Sequence, residues 1–432
     1  LTNQIAEQMR EDWNARARED AFYYVAFGRR NQNDDEFLAT ASEQVHGLEL
    51  ELRRLPPARA RQRRALEIGC GPGRLMKPMA HHFGEIHGVD ISDEMVHRAR
   101  LTLADIPHAH AHHAPRSNLE AFADDSFDFV YSYAVFQHIP SREVVFGYLE
   151  ESWRVLKPGG ILRCQLNGLP KTARSYDTWS GVRIGAEEIR AFARAKGFLL
   201  LALEGVDTQY MWTTLRKPPP PLTEPVMSPA IRRITSAYSS EPAVPHRGRF
   251  AAISLYVVGL PAGADLNRLD LRVAGQPAPL TFLGHPEKDQ LQQLNALLPE
   301  GLATGLQPVV LACDGQPLCP EAWVRLRPPG PPVPCILSVT DGIDLLAANR
   351  IVNRVVKVTV EEIDASQNLQ LLVNGIAVAE LDVFCTDPRL PRWEVNFPLP
   401  AEVADGVAEI EMRAGRRRIG VVRVTVESVT TS

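Results

Sequence analysis

Between residues 65 and 216 the chain alternates compact apolar runs with amphipathic ones. The runs at 65–69, 85–90, 108–114, 127–133 and 160–166 predict buried strands, and apolar residues at helical spacing predict helices over 74–83, 92–104, 141–155 and 186–196. A closing hairpin is expected from 198–206 and 208–215. Strand and helix alternation of this kind implies a mostly parallel sheet with helices on both faces. Upstream, residues 1–64 read mostly helical: Trp13, Ala17, Phe22 and Val25 recur near helical spacing. A second amphipathic stretch over 36–52 stops at Pro56-Pro57.

After residue 216 the texture changes. Four consecutive prolines, Pro218 to Pro221, are followed by Pro225, Pro229, Pro242 and Pro245, a composition that favours a stiff, extended spacer. Beyond it come short β-like runs at 252–258, 270–273, 309–312, 324–326, 335–339, 355–360, 369–373 and 421–426, with Gly/Pro-rich turns that suggest β-sandwiches. The Pro-rich stretch 328–334 divides this region in two. The expected organisation is therefore 1–64 helical, 65–216 α/β, 217–248 linker, then sandwiches at 249–330 and 331–432. A spacer would let the sandwiches fold independently and leave residues 1–216 soluble on their own.

Candidate chemistry concentrates in Leu66-Glu67-Ile68-Gly69-Cys70-Gly71-Pro72-Gly73-Arg74. Glycines at a strand-to-helix turn let the backbone approach a ligand that a Cβ would push away. The next strand delivers Asp90, placed as for a ribose hydroxyl contact. Spacing excludes two nucleotide-binding alternatives. A dinucleotide fingerprint needs glycine at its sixth position, which is Arg74 counted from Gly69 and Met76 counted from Gly71. A Walker loop needs Gly-Lys-Ser/Thr, which does not follow here.

The pattern Glu-x-Gly-x-Gly-x-Gly resembles motif I of the class I S-adenosylmethionine-dependent methyltransferases. Three further segments resemble that family in order over residues 65–166: Gly88-Val89-Asp90-Ile91-Ser92, Ser126-Phe127-Asp128-Phe129-Val130-Tyr131-Ser132 and Leu156-Lys157-Pro158-Gly159-Gly160. The resemblance implies an α/β Rossmann-like domain with a mostly parallel seven-stranded sheet, followed by the two all-β modules. It implies S-adenosylmethionine as cofactor and S-adenosylhomocysteine as product. Glu67, Gly69, Gly71 and Gly73 would surround the methionine half, with Asp90 on the ribose and Ile91 and Met95 beside the adenine. Many members carry an Asp after the third strand; here the matching Ser117-Asn118-Leu119 supplies Asn118, whose side-chain oxygen can accept from the adenine amine. A loop-capping Asn is the alternative. Cys70, Leu119 and Tyr131 complete the expected cofactor set.

Tyr131, Ser132, Val135, Gln137 and His138 follow the fourth strand, at the sheet end where open α/β folds bind ligands. His138 is the candidate general base, or else lines the pocket. Trp13, Arg16, Tyr23 and Tyr24 resemble an N-terminal cover over the site, helix-core packing being the alternative for the aromatics. Trp179 and Tyr210, in polar-aromatic segments, are further acceptor-pocket candidates. His108, His110 and His112 would share a strand face. No carboxylate or Cys accompanies them at ligand spacing, so no metal is expected. Gln293 to Gly301, with Gly305 and Asp314-Gly315, resembles immunoglobulin-like, TIG-type modules.

Composition narrows the setting. A chain of 432 residues implies two or three domains. Its 45% apolar and 23% charged content is that of a soluble globular protein, and no apolar run reaches a membrane span. The polar start is not a signal peptide. A net charge of −5 argues against nucleic acid as an obligatory partner. The cluster Arg53, Arg54, Arg59, Arg61, Arg63 and Arg64 reads as a solvated helix end. Six cysteines without CxxC spacing fit a reduced, cytoplasmic protein. The expected acceptor is a hydroxyl or amine on a small molecule, saccharide or lipid-linked precursor, with a glycan or protein partner at the sandwiches. The rival readings are a non-catalytic methyltransferase-like scaffold and, disfavoured by glycine spacing, a dehydrogenase.

Overall fold

A computed structural model describes residues 2–26, 30–115, 118–172, 176–222, 228–287, 290–330, 333–344, 347, 349–363, 369–387 and 392–427; Ser117 and Pro225 lie outside them. The chain divides into two compact units, residues 1–19 with 40–329, and residues 20–39 with 330–432. Helix α1 (Thr2–Val25) carries a non-helical residue, Asp20 (φ −166°, ψ 89°), where the chain passes from one unit to the other.

The α/β part of the first unit is built on seven strands: β1 Arg64–Ile68, β2 Glu85–Asp90, β3 Ala109–His113, β4 Phe127–Ser132, β5 Leu156–Leu166, β6 Leu199–Glu204 and β7 Met211–Arg216. Their spatial order is β3-β2-β1-β4-β5-β7-β6. Neighbours from β3 to β5 run parallel, while β7 is antiparallel to both β5 and β6. Side chains alternate across the sheet, so each face builds its own core. Leu66, Ile68 and Val130 pack with Val145 and Leu149; Ala65, Ile86 and Phe129 pack with Met76, Met79 and Ala99. One row is polar. Glu67, Tyr131, Arg163 and Thr214 stand in register on four neighbouring strands, all buried. Arg163 donates to Glu204 (2.7 Å) and Thr214 (2.8 Å), pairings that make a buried guanidinium tolerable.

The helices are α2 Asp34–Ala39, α3 Ser42–His46, α4 Glu49–Arg53, α5 Met76–Met79, α6 Asp93–Thr102, α7 Arg142–Val155 and α8 Ala186–Lys196. Two expected helices are shorter than predicted. The 74–83 segment gives α5 and a 3-10 turn, Ala80–His82, because Pro78 has no N–H to continue the ladder. The 36–52 stretch breaks into α2, α3 and α4. At the first break the Thr40 carbonyl is taken by the Arg74 guanidinium (2.9 Å) instead of a helical N–H.

The next β-region consists of two sheets that share one core, including Leu255, Leu271, Leu294 and Leu311, a layout compatible with a sandwich. Two of its strands, Ala230–Ser236 and Ala243–Pro245, lie inside the stretch expected to be linker. They pair with Ala252–Val258 and Ala322–Arg327. Pro242 and Pro245 are tolerated because Ala243–Pro245 is the edge strand of its sheet.

Nor does the proline run hold this β-region away from the α/β domain. Arg54, only 4% exposed, donates to the carbonyls of Leu266 (3.0 Å) and Leu269 (2.8 Å). Asn267 bridges the carbonyls of Arg54 (2.8 Å) and Gly159 (2.7 Å), and the buried Arg216 pairs with Asp270 at 2.8 Å. The spacer expectation fails here, as does the solvated reading of Arg54. Once desolvated, these groups hold one another in fixed geometry.

In the second unit, two further sheets share a core around Val356, Val358, Phe397, Ile410 and Met412, again compatible with a sandwich. Phe22 stacks on Phe37 with ring centroids 4.0 Å apart. Among the described residues no helix is long and apolar enough to cross a membrane.

Candidate functional site

The loop after β1 turns on three glycines with positive φ: Gly69 (72°), Gly71 (51°) and Gly73 (84°). L side chains disfavour that region. The amides of Gly69 and Cys70 both donate to the Val89 carbonyl, at 2.8 and 3.0 Å, which ties the loop to the end of β2. A Cβ on Gly69 would sit 2.4 Å from Val135, so the segment after β4 lies directly against this loop. Gly88 is equally constrained, with Met76 Sδ at 2.4 Å and the Cys70 Cβ at 2.6 Å from its missing Cβ. Sequence reading used Gly88 only as part of a motif; its packing role emerges from tertiary structure.

Two carboxyls flank the loop. Glu67 is 3% exposed and its Oε2 accepts from the Tyr131 hydroxyl at 2.8 Å. Burial pushes its carboxyl up to about 8, opposed by the Tyr131 hydrogen bond and by the Arg74 charge. Asp90 accepts from the amides of Gly71 (Oδ2, 2.9 Å) and Ser92 (Oδ1, 2.9 Å); burial raises its pKa above the ordinary aspartate value. Each carboxylate oxygen retains a second lone pair for a ligand. Such a set could hold a ligand with a cationic ammonium near Glu67 and hydroxyls near Asp90.

Ile91 and Met95 are buried just beyond. The N-terminus of α6 is capped by Ser92 and by Asn14 of α1: Asn14 Oδ1 accepts from Ser92 Oγ (2.6 Å) and the Glu94 amide (3.2 Å), and its Nδ2 donates to Asp93 (2.7 Å). Asn14 was missed from sequence, being remote in the chain. Asn118 is half-buried. Its neighbour Leu119 is held by its amide on Glu151 (3.3 Å) and its carbonyl under Arg154 (2.9 Å).

After β4 the backbone passes through Ala134 at φ 55°, its amide donating to Gln165 (3.0 Å), into a short turn, Phe136–His138. His138 Nδ1 lies 3.0 Å from the Trp179 carbonyl. A carbonyl only accepts, so Nδ1 carries the ring proton and Nε2 keeps its lone pair. That Nε2 is 3.4 Å from the Gln137 side-chain nitrogen, while Gln137 Oε1 is buried with no partner among the described residues. Burial pulls the His138 pKa down to about 4; the Trp179 carbonyl and Asp177 oppose the shift and Arg16 assists it.

Trp13 meets the His138 ring edge-on at 5.5 Å, and the Arg16 guanidinium lies between Trp13 (4.6 Å) and Trp179 (5.4 Å). Thus Trp13, Gln137 and Trp179 each lie against His138. Tyr210 sits in the β6–β7 turn, whose Thr208 carbonyl accepts from Gly168 beyond the end of β5 (2.9 Å). Tyr23 and Tyr24 lie past Asp20 in the second unit, where Arg30 stands over the Tyr23 ring at 4.3 Å.

The histidines of β3 do not form a ligand set: among the described residues no group of three or more His, Cys, Asp or Glu is arranged to hold a metal. His110 and His112 instead gather around His87 of β2, with His87 Nδ1 and His112 Nε2 2.9 Å apart.

A family profile described as "Methyltransferase domain" matches residues 66–164. Among curated relatives, phosphoethanolamine N-methyltransferase 2 of Caenorhabditis elegans is 28% identical over 153 residues, covering 34% of this chain and 34% of that one. A ubiquinone biosynthesis O-methyltransferase of Cereibacter sphaeroides (strain KD131 / KCTC 12085) is 33% identical, covering 25% and 43%. A 24-methylenesterol C-methyltransferase 2 of Oryza sativa subsp. japonica is 33% identical, covering 23% and 27%. The chain thus spans less than half the length of these relatives, and their names cover nitrogen, oxygen and carbon acceptors.

Proposed function

We propose that this chain, which carries a class I S-adenosylmethionine-dependent methyltransferase domain, methylates a hydroxyl oxygen or an amine nitrogen of a small-molecule, saccharide or lipid-linked acceptor. The residues present suit that cofactor: a buried carboxyl, Glu67, with one neutral donor matches an ammonium group, and Gly69, Gly71 and Gly73 turn the loop through a positive-φ path that L side chains disfavour. When bound, the cofactor supplies an electrophilic methyl on a sulfonium sulfur. In this reading Glu67, Gly69, Cys70, Gly71 and Gly73 hold its methionine half, with Tyr131 orienting Glu67. Asp90 accepts from the ribose, and Ile91, Met95, Asn118 and Leu119 surround the adenine. With a neutral leaving group the protein's main task is alignment, which can contribute ~7–11 kcal/mol.

The observation that carries the acceptor assignment is the fixed tautomer of His138. Its Nδ1–H is committed to the Trp179 carbonyl, and its low pKa keeps the ring neutral at physiological pH. The Nε2 lone pair, which the Gln137 side-chain nitrogen approaches at 3.4 Å, would serve an acceptor O–H or N–H in place of that contact, as a general base requires. Trp13, Gln137, Trp179 and Tyr210 are proposed to line the acceptor side. The test is His138→Gln, assayed against panels of hydroxyl and amine acceptors. Cofactor-product affinity should stay the same while methyl transfer falls about 10²–10⁴-fold. An unchanged rate would demote His138 to pocket lining. For the β-regions the proposal is recruitment of a glycan or protein partner, supported by Trp323 (57% exposed) and Leu306 (55% exposed) on adjacent strands.

A further inference from the structure

The segment 176–182 is joined at its C-terminal end to the turn after β4. The Gly181 amide donates to the Gln137 carbonyl (2.7 Å) and the Val182 amide to the Ile139 carbonyl (2.8 Å). A Cβ on Gly181 would lie 2.6 Å from both the Gln137 carbonyl oxygen and the Ile139 amide, so no other residue allows this approach. Asp177 Oδ1 accepts from the amides of Trp179 (2.8 Å) and Ser180 (2.7 Å), which sets the turn itself.

The same turn is held by α1. Thr178 is 2% exposed; its hydroxyl donates to Asp12 Oδ2 at 2.6 Å and accepts from Arg16 Nη2 at 3.0 Å. Arg16 Nη1 donates to the Thr178 carbonyl at 3.1 Å, one peptide before the carbonyl that His138 uses. The guanidinium lies over both indoles while donating through two nitrogens, a combination lysine does not reproduce.

We propose that Thr178, with Asp12 and Arg16, is a positioning residue for His138: the clasp between α1 and this turn delivers the Trp179 carbonyl to Nδ1 and so keeps the lone pair on Nε2. The inference rests on the reading of His138 as the base, but its test needs no acceptor. When the clasp opens, Nδ1 loses the Trp179 carbonyl, the neutral ring redistributes between tautomers, and water enters around it. The charged groups that face the ring are Arg16 from α1 and Asp177 from the turn; α1 and the turn therefore set its protonation together.

The experiment is nitrogen-15 NMR of histidine-labelled full-length protein, with the His138 signal identified by its absence in His138→Gln. The wild type should show a single Nδ1–H tautomer at neutral pH and no protonation until about pH 4. Thr178→Val should give mixed tautomers and a titration moved up toward the ordinary histidine value, about 6.5. Thr178→Ser should restore the wild-type signature, and Arg16→Lys should reproduce part of the valine effect. Affinity for S-adenosylhomocysteine, by calorimetry, should change less than about twofold in all three, since none touches the glycine loop. A folded Thr178→Val protein with the wild-type tautomer and titration would overturn the proposal. If Thr178→Val does not fold, Arg16→Lys decides by the same signature. Failure of the base reading is distinct: His138→Gln would then keep its rate whatever the tautomer does.

Discussion

At Gly69 a positive φ and a close approach by the Val135 side chain coincide. Gly69→Ala should cost about 1–3 kcal/mol of stability, because its Cβ meets Val135 and its φ is positive. Asp90→Ala should weaken S-adenosylhomocysteine binding by ~1.5–3 kcal/mol, about 10- to 150-fold, with a smaller effect on melting temperature. Glu67 sets a pH dependence. The folded protein holds this proton up to about pH 8, whereas an exposed glutamate releases it above 4.5. The stabilising effect is present below pH 4.5 and is lost as pH rises through 8. A ligand ammonium favours the ionised form, so affinity should climb toward pH 8, with proton release on binding at neutral pH. Calorimetry in buffers of different ionisation heat checks this, and Glu67→Gln should abolish the release. Glu67, the glycines and Asp90 were legible because their chemistry is local in sequence. Asn14 was not, and for Arg16 and Thr178 the sequence indicated a neighbourhood but not the partner, because each acquires its role only from a residue far along the chain.

At the level of elements, the central strands β1, β2 and β4 were readable because each is a short buried run in a covered sheet, whereas edge strand β3 buries only Ala111. Phe127–Ser132 is buried throughout, and both faces of β1 and β2 are packed. The helical segments 36–52 and 74–83 were overextended, since Thr40 gives its carbonyl to Arg74 and Pro78 withholds a donor. Such competition is invisible to hydrophobic periodicity. Helix α6 depends on an element outside itself: Asn14 of α1 caps it through Ser92, Asp93 and Glu94. Asn14→Ala should therefore cost about 1–3 kcal/mol, with partners left buried and unpaired. Denaturant unfolding would show it as a shifted midpoint without a change in slope. A cost below a few tenths of a kcal/mol would mean that Ser92 alone suffices as cap.

For the whole molecule, the arginine run before β1 misled because charge clusters are usually solvated, whereas Arg54 and Arg216 enclose Asp270 beneath the first β-region. Burial pulls the Arg54 pKa down to about 10, opposed chiefly by the Asp270 charge. Asp270→Ala should destabilise the full chain by about 3–5 kcal/mol, the usual loss when one partner of a buried charge pair is removed. Residues 1–216 alone should aggregate or melt earlier than residues 1–329, since the cut exposes both arginines and the Gly159 carbonyl. Equal melting temperatures for the two fragments would restore the independent-domain view. In the proposed reading the loop after β1, with Glu67 and Asp90, is a working S-adenosylmethionine site. Titration calorimetry of the purified full chain with S-adenosylhomocysteine near pH 8 tests it most directly. One-to-one binding, weakened in Asp90→Ala and untouched in His138→Gln, is the expected result; a folded wild-type protein that binds none would overturn the assignment.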